Sequence, residues 1–142
     1  VPLWYSALTH ATSALVAITI LVGIITTGSG PHAGDSGASR NGLDSELLQH
    51  VHSWPAYATV AATVLLLIGA LRLGQPRLAR FTGILLAIEA VQVAVGLAQA
   101  RLGLPEILVG AHMVLACCLA AAMTAVVLSL REPAASAVDA VK

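Results

Sequence analysis

Charged and aromatic residues are scarce in this chain of 142 residues. Asp, Glu, Lys and Arg together make up 10% of the sequence and aromatic residues 4%, whereas 58% is hydrophobic. The mean hydropathy is +0.88. A soluble domain of this size cannot hide so much apolar surface in one core, so we expect a lipid bilayer to surround most of the chain.

An excess of either charge is also lacking, because seven basic residues balance seven acidic ones. A polyanionic partner needs a basic surface, so we expect no nucleic-acid partner. Cysteine is limited to Cys117 and Cys118, which are adjacent in the last apolar run. A disulfide between neighbours would be strained, and adjacent residues do not have the spacing of metal ligands. We interpret the two cysteines as small apolar packing residues.

Basic residues are absent from four long stretches, residues 1–39, 41–71, 81–100 and 102–130. Each stretch is long enough for a membrane helix, which needs about 20 residues. The apolar runs inside them predict transmembrane spans at residues 4–27, 52–71, 81–99 and 107–130. The sequence therefore predicts an all-α integral membrane protein, a single domain over residues 1–142 in which four helices form an antiparallel up-down bundle.

The positions of the basic residues predict the topology. Five of them follow the second or the fourth span: Arg72, Arg77, Arg80, Arg131 and Lys142. The connections after the first and third spans contain only Arg40 and Arg101. By the positive-inside rule, we expect a multi-pass protein of the cell (plasma) membrane with cytoplasmic termini and the long first loop outside. The first apolar run lacks a basic n-region and the chain begins without Met. We interpret that run as a membrane span of a trimmed or partial chain rather than a signal peptide.

Helix-start signals precede the second and fourth spans. Asp44 or Ser45 can cap the second helix, and Glu46 favours its positive N-terminal end. Pro105 suits the first helical position of the fourth helix, with Glu106 in its first turn. Both helices therefore begin at the outer side and run in the same direction.

A weak internal repeat relates the two halves of the chain. VGIITTGSG, residues 22–30, resembles VGLAQARLG, residues 95–103. Each segment ends the first helix of a hairpin whose second helix carries a histidine. The pattern predicts two similar helical hairpins related by a twofold axis along the membrane normal.

Ionisable side chains inside a membrane are costly and usually functional, which makes the histidines informative. At about 1.5 Å per residue, His52 lies roughly 12 Å along its helix from Asp44, and His112 roughly 10 Å from the start of the fourth helix. The two imidazoles therefore lie at similar depth near the outer face of a bundle whose interior can hold a cofactor. Because neutral imidazole is a good axial ligand for haem iron, the pair predicts a haem between His52 and His112.

The other histidines leave alternatives open. His50 and His52 point about 200° apart on a helix, so only one of them faces the bundle interior, and spacing alone does not choose between them. His10 lies near the cytoplasmic end of the first helix, far from this pair, where it makes a polar contact or belongs to a second, separate site. His32 lies in the outer loop, where it could contact a haem propionate. A purely structural interpretation, in which the histidines are interfacial polar residues, also stays open.

Glu89 lies about halfway along the third span, with Gln92 and Gln99 near the same face. A carboxyl group in lipid is expected to be neutral or paired within the bundle. A hydrogen bond between helices and a role in proton movement are both compatible with this position.

Four motifs, in this order, resemble the C-terminal half of haem A synthase, and the first and last are closest to actinobacterial members. They are GSGPHAGD in the first outer loop, QHVHSW at the start of the second helix, the ExxQxxxGxxQ pattern of Glu89, Gln92, Gly96 and Gln99, and LPEILVGAHM at the start of the fourth helix. Together they extend over essentially all four spans.

Members of this family are typically eight-helix proteins with two similar four-helix halves, and they oxidise the methyl group of haem O to the formyl group of haem A. The resemblance implies that His52 and His112 are the axial ligands of a haem b, with His32 a further candidate near the propionates. The catalytic half usually has Glu three residues before its first histidine, whereas Gln49 stands there in this chain. Glu46 matches instead a Glu that is common in the haem b half.

The substrate-oxidising half is absent from this sequence, as is the loop cysteine pair of many members. The resemblance therefore implies an oxidoreductase, acting on haem O, that works with a missing N-terminal half or a second copy. Haem O synthase and the terminal oxidase assembly are further expected partners. The alternative is a membrane cytochrome b that transfers electrons without modifying haem.

Overall fold

The computed structural model describes residues 1–32 and 37–131. These form four long α-helices: α1, Leu3–Ser29; α2, Ser45–Arg72; α3, Pro76–Arg101; and α4, Glu106–Ser129. Each is long and apolar enough to cross a membrane, and the described residues contain no strand. The predicted all-α four-helix bundle is confirmed, and its helices are those of a multi-pass membrane protein. Lys142, counted in the predicted topology, and the last residues of the GSGPHAGD motif lie outside the described residues.

Capping groups set where α2 and α4 begin. Asp44 accepts a hydrogen bond from the Leu47 amide at 3.0 Å, so α2 starts well before the predicted span, as this cap predicted. Pro105 precedes α4 as its N-cap residue rather than occupying the first helical position, and Glu106 lies in the first turn as predicted. Both helices therefore begin with an acidic residue near their positive ends.

Each helix packs against two neighbours and has the third diagonally opposite. α1 and α3 each contact α2 and α4. Within the described residues, the backbones of the diagonal pairs, α1 with α3 and α2 with α4, do not approach each other. The connections after α1 and α3 lie at one end of the bundle, which we call the long-loop end. The short connection after α2 lies at the opposite end.

The inner face of every helix follows a heptad pattern, in which inward residues alternate three and four positions apart. The pattern runs through Tyr5, Thr9, Thr12, Val16, Thr19, Gly23 and Thr26 in α1, His52, Ala56, Thr59, Thr63, Leu66 and Ala70 in α2, Leu78, Thr82, Leu85, Glu89, Gln92, Gly96 and Gln99 in α3, and Val109, His112, Ala116, Leu119, Met123, Val126 and Leu130 in and just after α4. Apart from Ser29 and Gly69, every buried residue of the helices belongs to this pattern. A sustained heptad is the geometry of left-handed helix bundles.

Apolar packing is concentrated in the middle of the bundle and at its opposite end. The two buried clusters are Val16, Leu85, Leu119, Met123 and Val126, and Tyr5, Leu66, Ala70 and Leu78. Toward the long-loop end, residues 20–28, 45–58, 90–101 and 106–118 include no buried residue. We call this part the loosely packed half. Its inward residues are only partly covered.

Threonine hydroxyls on the inner faces bond mainly within their own helices. Thr9, Thr12, Thr19 and Thr59 donate to the carbonyl four residues earlier at 2.8 to 2.9 Å. A hydroxyl without water must find such a partner. These bonds satisfy the four hydroxyls, whereas the buried hydroxyl of Thr82 has no partner among the described residues.

The two cysteines lie on the outer surface of α4. Cys117 and Cys118 are both exposed, so the prediction that they are packing residues is wrong. Ala116 and Leu119 hold the inward positions on either side of them, and this turns both thiols away from the bundle. In a bilayer that surface faces lipid.

Gly69 should not tolerate a larger residue, because α1 and α2 approach closely there. A Cβ at this position would lie 3.1 Å from the rings of Trp4 and Tyr5. We expect Gly69→Val to lower the stability by about 1–3 kcal/mol, as in other overpacked cores. The matched change Gly83→Val would place its Cβ where no atom lies within 4 Å and should leave the melting temperature nearly unchanged. Equal melting temperatures, followed by circular dichroism in detergent, would contradict the close approach.

Candidate functional site

His52 and His112 meet inside the loosely packed half. Their ring centroids are 6.2 Å apart and their planes are inclined by 80°. Because α2 and α4 are diagonal in the bundle, the imidazoles approach each other across its interior rather than along a helix interface. Both residues are half-buried. The fold therefore brings together the two histidines that were expected at matched depth.

The remaining histidines lie elsewhere. His50 is exposed on α2, so of the neighbouring pair it is His52 that faces His112. His10 is exposed near the opposite end of α1, well away from the two imidazoles. His32 is half-buried, and its Nε2 donates to the Leu104 carbonyl at 2.7 Å, which ties the first loop to the connection between α3 and α4.

Each of the paired imidazoles lies against a glycine of the preceding helix. A Cβ at Gly23 of α1 would lie 2.9 Å from Cε1 of His52, and a Cβ at Gly96 of α3 would lie 3.2 Å from Cε1 of His112. These distances are shorter than ordinary van der Waals contact, so glycine leaves the room that each ring occupies. The two glycines hold equivalent places in the two hairpins, directly after the valine of the repeated VG.

The two nitrogens of each ring have different surroundings. The backbone of Thr19 hydrogen-bonds the imidazole of His52. The backbone of Gln92 hydrogen-bonds the imidazole of His112. Nδ1 of each ring is buried without a partner. An imidazole held by a backbone carbonyl through one nitrogen offers the lone pair of the other, which is the usual arrangement around metal-bound histidines.

Two imidazoles are too few to hold a metal ion without other ligands. Within residues 1–32 and 37–131, no group of three or more His, Cys, Asp and Glu side chains could hold one. Haem iron differs, because its macrocycle supplies the equatorial ligands and the protein only the axial ones. With bonds of about 2 Å from metal to imidazole nitrogen and a ring radius of about 1 Å, two axial imidazoles have centroids about 6 Å apart. The observed 6.2 Å fits such a group.

A small pocket of about 50 Å³ lies at the long-loop end. Its walls come from both loops and from the ends of three helices: Thr26, Thr27, Gly30, Pro31, His32, Ser45, Gln49, Leu104 and Val109. Gln49 and Val109 each lie three residues before a member of the histidine pair, so the pocket is about one helical turn outward from the two imidazoles. None of its lining residues is acidic.

The wall of this pocket includes a strained backbone position. Leu104 has a φ of 59°, a left-handed conformation that costs a non-glycine residue about 1–2 kcal/mol. Its amide bonds the Gln99 carbonyl at 2.8 Å and its carbonyl accepts from His32. His32 therefore helps to hold this connection in place while its ring lines the pocket.

Glu89 is buried on the inner face of α3, with 3% of its surface exposed. Its Oε1 accepts a hydrogen bond from the Thr63 hydroxyl of α2 at 2.8 Å, whereas Oε2 has no hydrogen-bond partner. Gln92, one turn nearer the long-loop end, donates to the His112 carbonyl at 3.0 Å. A hydrogen bond between helices, one of the two roles considered for Glu89, is therefore present.

Gly23 and the inner-face threonines were not predicted to belong to the site. Two signals in the sequence mark them. The repeated VG at residues 22–23 and 95–96 pairs Gly23 with Gly96, and the heptad places Thr19 and Gln92 one turn before these glycines. The glycine that each histidine needs is thus identifiable once the hairpins are aligned.

No family model, no curated protein and no solved structure matches this chain. The resemblance to haem A synthase therefore depends on the sequence motifs alone and stays a prediction.

Adding a methyl group at either glycine should displace the imidazole that lies against it. In Gly23→Ala we expect the ring signals of His52 to shift, and in Gly96→Ala those of His112, in ¹H–¹³C NMR spectra of histidine-labelled protein. Gly110→Ala is the control, because a Cβ there meets no atom within 4 Å, and it should leave both signals in place. An unshifted His52 signal in the first variant would rule out the contact.

Proposed function

We propose that this chain binds a haem b between His52 and His112 and serves as the cofactor half of a haem A synthase. The observation that carries the proposal is the approach of the two imidazoles to 6.2 Å across the interior of a bundle of membrane-length helices. The motifs that resemble the family supply the reaction, which is oxidation of the haem O methyl group to the formyl group of haem A.

The chain's own residues have distinct roles in this proposal. His52 and His112 would hold the iron, and the backbones of Thr19 and Gln92 would keep the two rings in orientation. The side chains beside the pair in the loosely packed half are only partly covered. When bound, haem with two imidazole ligands supplies one-electron exchange.

His32 is proposed to lie near the propionates of the cofactor. It lines the pocket one turn outward from the imidazoles, together with polar side chains of Thr26, Thr27 and Ser45. Hydroxyl and imidazole groups are suitable donors to carboxylates. The same pocket would thus receive the polar edge of the group whose iron the histidine pair binds.

The substrate is expected to react in another unit. Gln49 lines the pocket at the position where the catalytic half of the family carries Glu, and an amide does not exchange a proton as a carboxyl group does. We therefore propose that an N-terminal half carries the haem O site, since a second copy of this chain would again present Gln49. Haem O synthase and the terminal oxidase assembly are the proposed neighbours that supply and use the haem.

A second candidate function is electron transfer by a membrane cytochrome b. The observation that favours it is the pocket lining, which contains no acidic residue. This function uses the same two ligands and the same haem b, and it differs in that no haem is modified even when a partner unit is present.

Exposed arginines support the proposed orientation in the membrane. Arg72, Arg77, Arg80 and Arg131 lie at the opposite end of the bundle, whereas Arg40 and Arg101 lie at the long-loop end. By the positive-inside rule, we propose that the opposite end faces the cytoplasm of a cell whose plasma membrane holds the chain. The histidine pair then lies near the outer face.

Replacing either proposed ligand should remove the haem. We expect the purified chain to show a six-coordinate, low-spin b-type spectrum, and His52→Ala and His112→Ala to retain at least about tenfold less haem, since loss of an outer-shell partner alone costs about 10–100-fold in metal affinity. The measurement is the reduced-minus-oxidised absorption spectrum with haem quantified per protein.

The matched controls are His50→Ala and His10→Ala, which change exposed histidines and should keep the spectrum. Equal haem loss in the His50 variant would reassign the ligand, and a chain that binds no haem would favour the structural interpretation of the histidines.

The two candidate functions differ in haem O turnover. We expect cells that make haem O to accumulate no haem A when they express this chain alone, and to accumulate it when a substrate-oxidising four-helix half is supplied, as measured by chromatography of extracted haems. His112→Ala should abolish that gain. Haem b binding without any haem A, even with the partner half present, would leave electron transfer as the function.

A further inference from the structure

Glu89 breaks the similarity of the two hairpins. Glu89 lies seven residues before Gly96, and Val16 lies seven before Gly23, so the two occupy equivalent inner positions. In the same way Thr63 lies eleven residues after His52, and Met123 eleven after His112. The pair formed by Glu89 and Thr63 therefore corresponds to Val16 and Met123, which belong to one apolar cluster.

The bundle thus does not need a carboxyl group at this level for packing. The equivalent position is filled by apolar side chains, whereas Glu89 is buried with Oε2 lacking a partner. A carboxyl group in this setting is costly to keep. Its retention in place of a second valine indicates a use for the ionisable group.

Glu89 lies at the boundary between the sealed and the loosely packed parts of the bundle. Leu85, one turn toward the opposite end, is fully buried in an apolar cluster. From residue 90 onward, α3 has no buried residue. Glu89 therefore lies between the apolar cluster on one side and the level of the histidines on the other.

Polar groups lie between Glu89 and both histidines. On α2, Thr63 bonds Glu89, and Thr59 lies one turn outward with its hydroxyl 3.4 Å from that of Thr19. The backbone of Thr19 in turn hydrogen-bonds His52.

On α3, Gln92 lies one turn outward from Glu89 and donates to the carbonyl of His112. Neither series of groups is a continuous hydrogen-bonded chain, because Thr59 and Thr19 each donate to a carbonyl of their own helix. The carboxyl group is instead coupled to a charge at the histidines through space, in a medium of low dielectric constant.

The other titratable side chains inside the bundle are few. Within the described residues, α1 contributes Tyr5, which lies beyond the apolar cluster, α2 contributes His52 and α4 contributes His112. The cysteines of α4 are exposed. Glu89 is therefore the acidic group of the interior that a change of charge at the histidine pair would affect.

We infer that Glu89 is a redox-coupled proton site: it binds one proton when one electron reaches the group held by His52 and His112, and it releases that proton when the electron leaves. This inference depends on the proposed haem binding. The electron comes from a one-electron donor, and the proton from the aqueous phase at the long-loop end. Because a carboxylate becomes a neutral carboxylic acid as the iron site gains negative charge, the charge inside the bundle stays constant.

The test is the midpoint potential of the bound haem, measured by optical redox titration over a series of pH values. In the unmodified chain the potential should fall as pH rises, by up to about 59 mV for each tenfold change in proton concentration, as expected for one proton per electron. In Glu89→Gln this slope should disappear, because Gln keeps an acceptor for Thr63 but does not titrate. Glu106→Gln, which changes an exposed acid at the start of α4, should keep the slope.

A second variant separates proton exchange from packing. Glu89→Val combined with Thr63→Met reproduces the residues of the related hairpin, so it should fold and bind haem as the unmodified chain does, yet show a flat potential. Redox-difference infrared spectra give an independent readout. A carbonyl band of a protonated carboxylic acid should appear on reduction in the unmodified chain and be missing in both Glu89 variants.

The outcomes distinguish this inference from the proposed function. A chain without haem overturns both. Haem bound through His52 and His112 with the same slope in Glu89→Gln as in the unmodified chain overturns the proton site and leaves haem binding in place. Loss of haem or of helix content in the double variant would make Glu89 a structural residue.

Discussion

The structure depends on the requirement that a polar atom inside a membrane bundle must find its partner within the chain. Threonine meets it locally, because its hydroxyl can bond the carbonyl one turn earlier, as Thr12 and Thr59 do. Histidine and glutamate cannot meet it in this way. Nδ1 of His52 and His112 and Oε2 of Glu89 are among the buried atoms left without a partner in the described part of the chain, as are the Thr82 hydroxyl and the Oε1 atoms of Gln92 and Gln99.

One heptad pattern produces both the sealed core and the loosely packed half. Where its positions hold Leu66, Leu85 or Met123, the helices close and bury these side chains. Where they hold Gly23, Gly96 and the two histidines, the same spacing brings imidazoles to the centre without covering them. The site thus needs no departure from regular helix packing. It results from replacing large apolar residues by glycine and histidine along a seam that continues unchanged.

The fold could be predicted from the sequence because it depends on local properties. Runs without basic residues set the four helices, and Asp44 marked the start of α2. The matched depth of His52 and His112 also followed from rise per residue alone. The rotation of each helix about its axis did not follow from the sequence, since it depends on tertiary packing. The structure was therefore needed to choose between His50 and His52. It was also needed to place Cys117 and Cys118 on the outer surface and to show the bond from Thr63 to Glu89.

The similarity of the hairpins explains why two histidines come to face each other, and its interruption shows where the halves differ in chemistry. Each ring has the same kind of support: a glycine against its edge and a backbone partner four residues before that glycine. The two hairpins differ one level further from the long-loop end. One side holds the apolar pair of Val16 and Met123, and the other holds the ionisable Glu89 with Thr63. The two hairpins therefore differ in chemistry at this level, although the positions of the two pairs are equivalent.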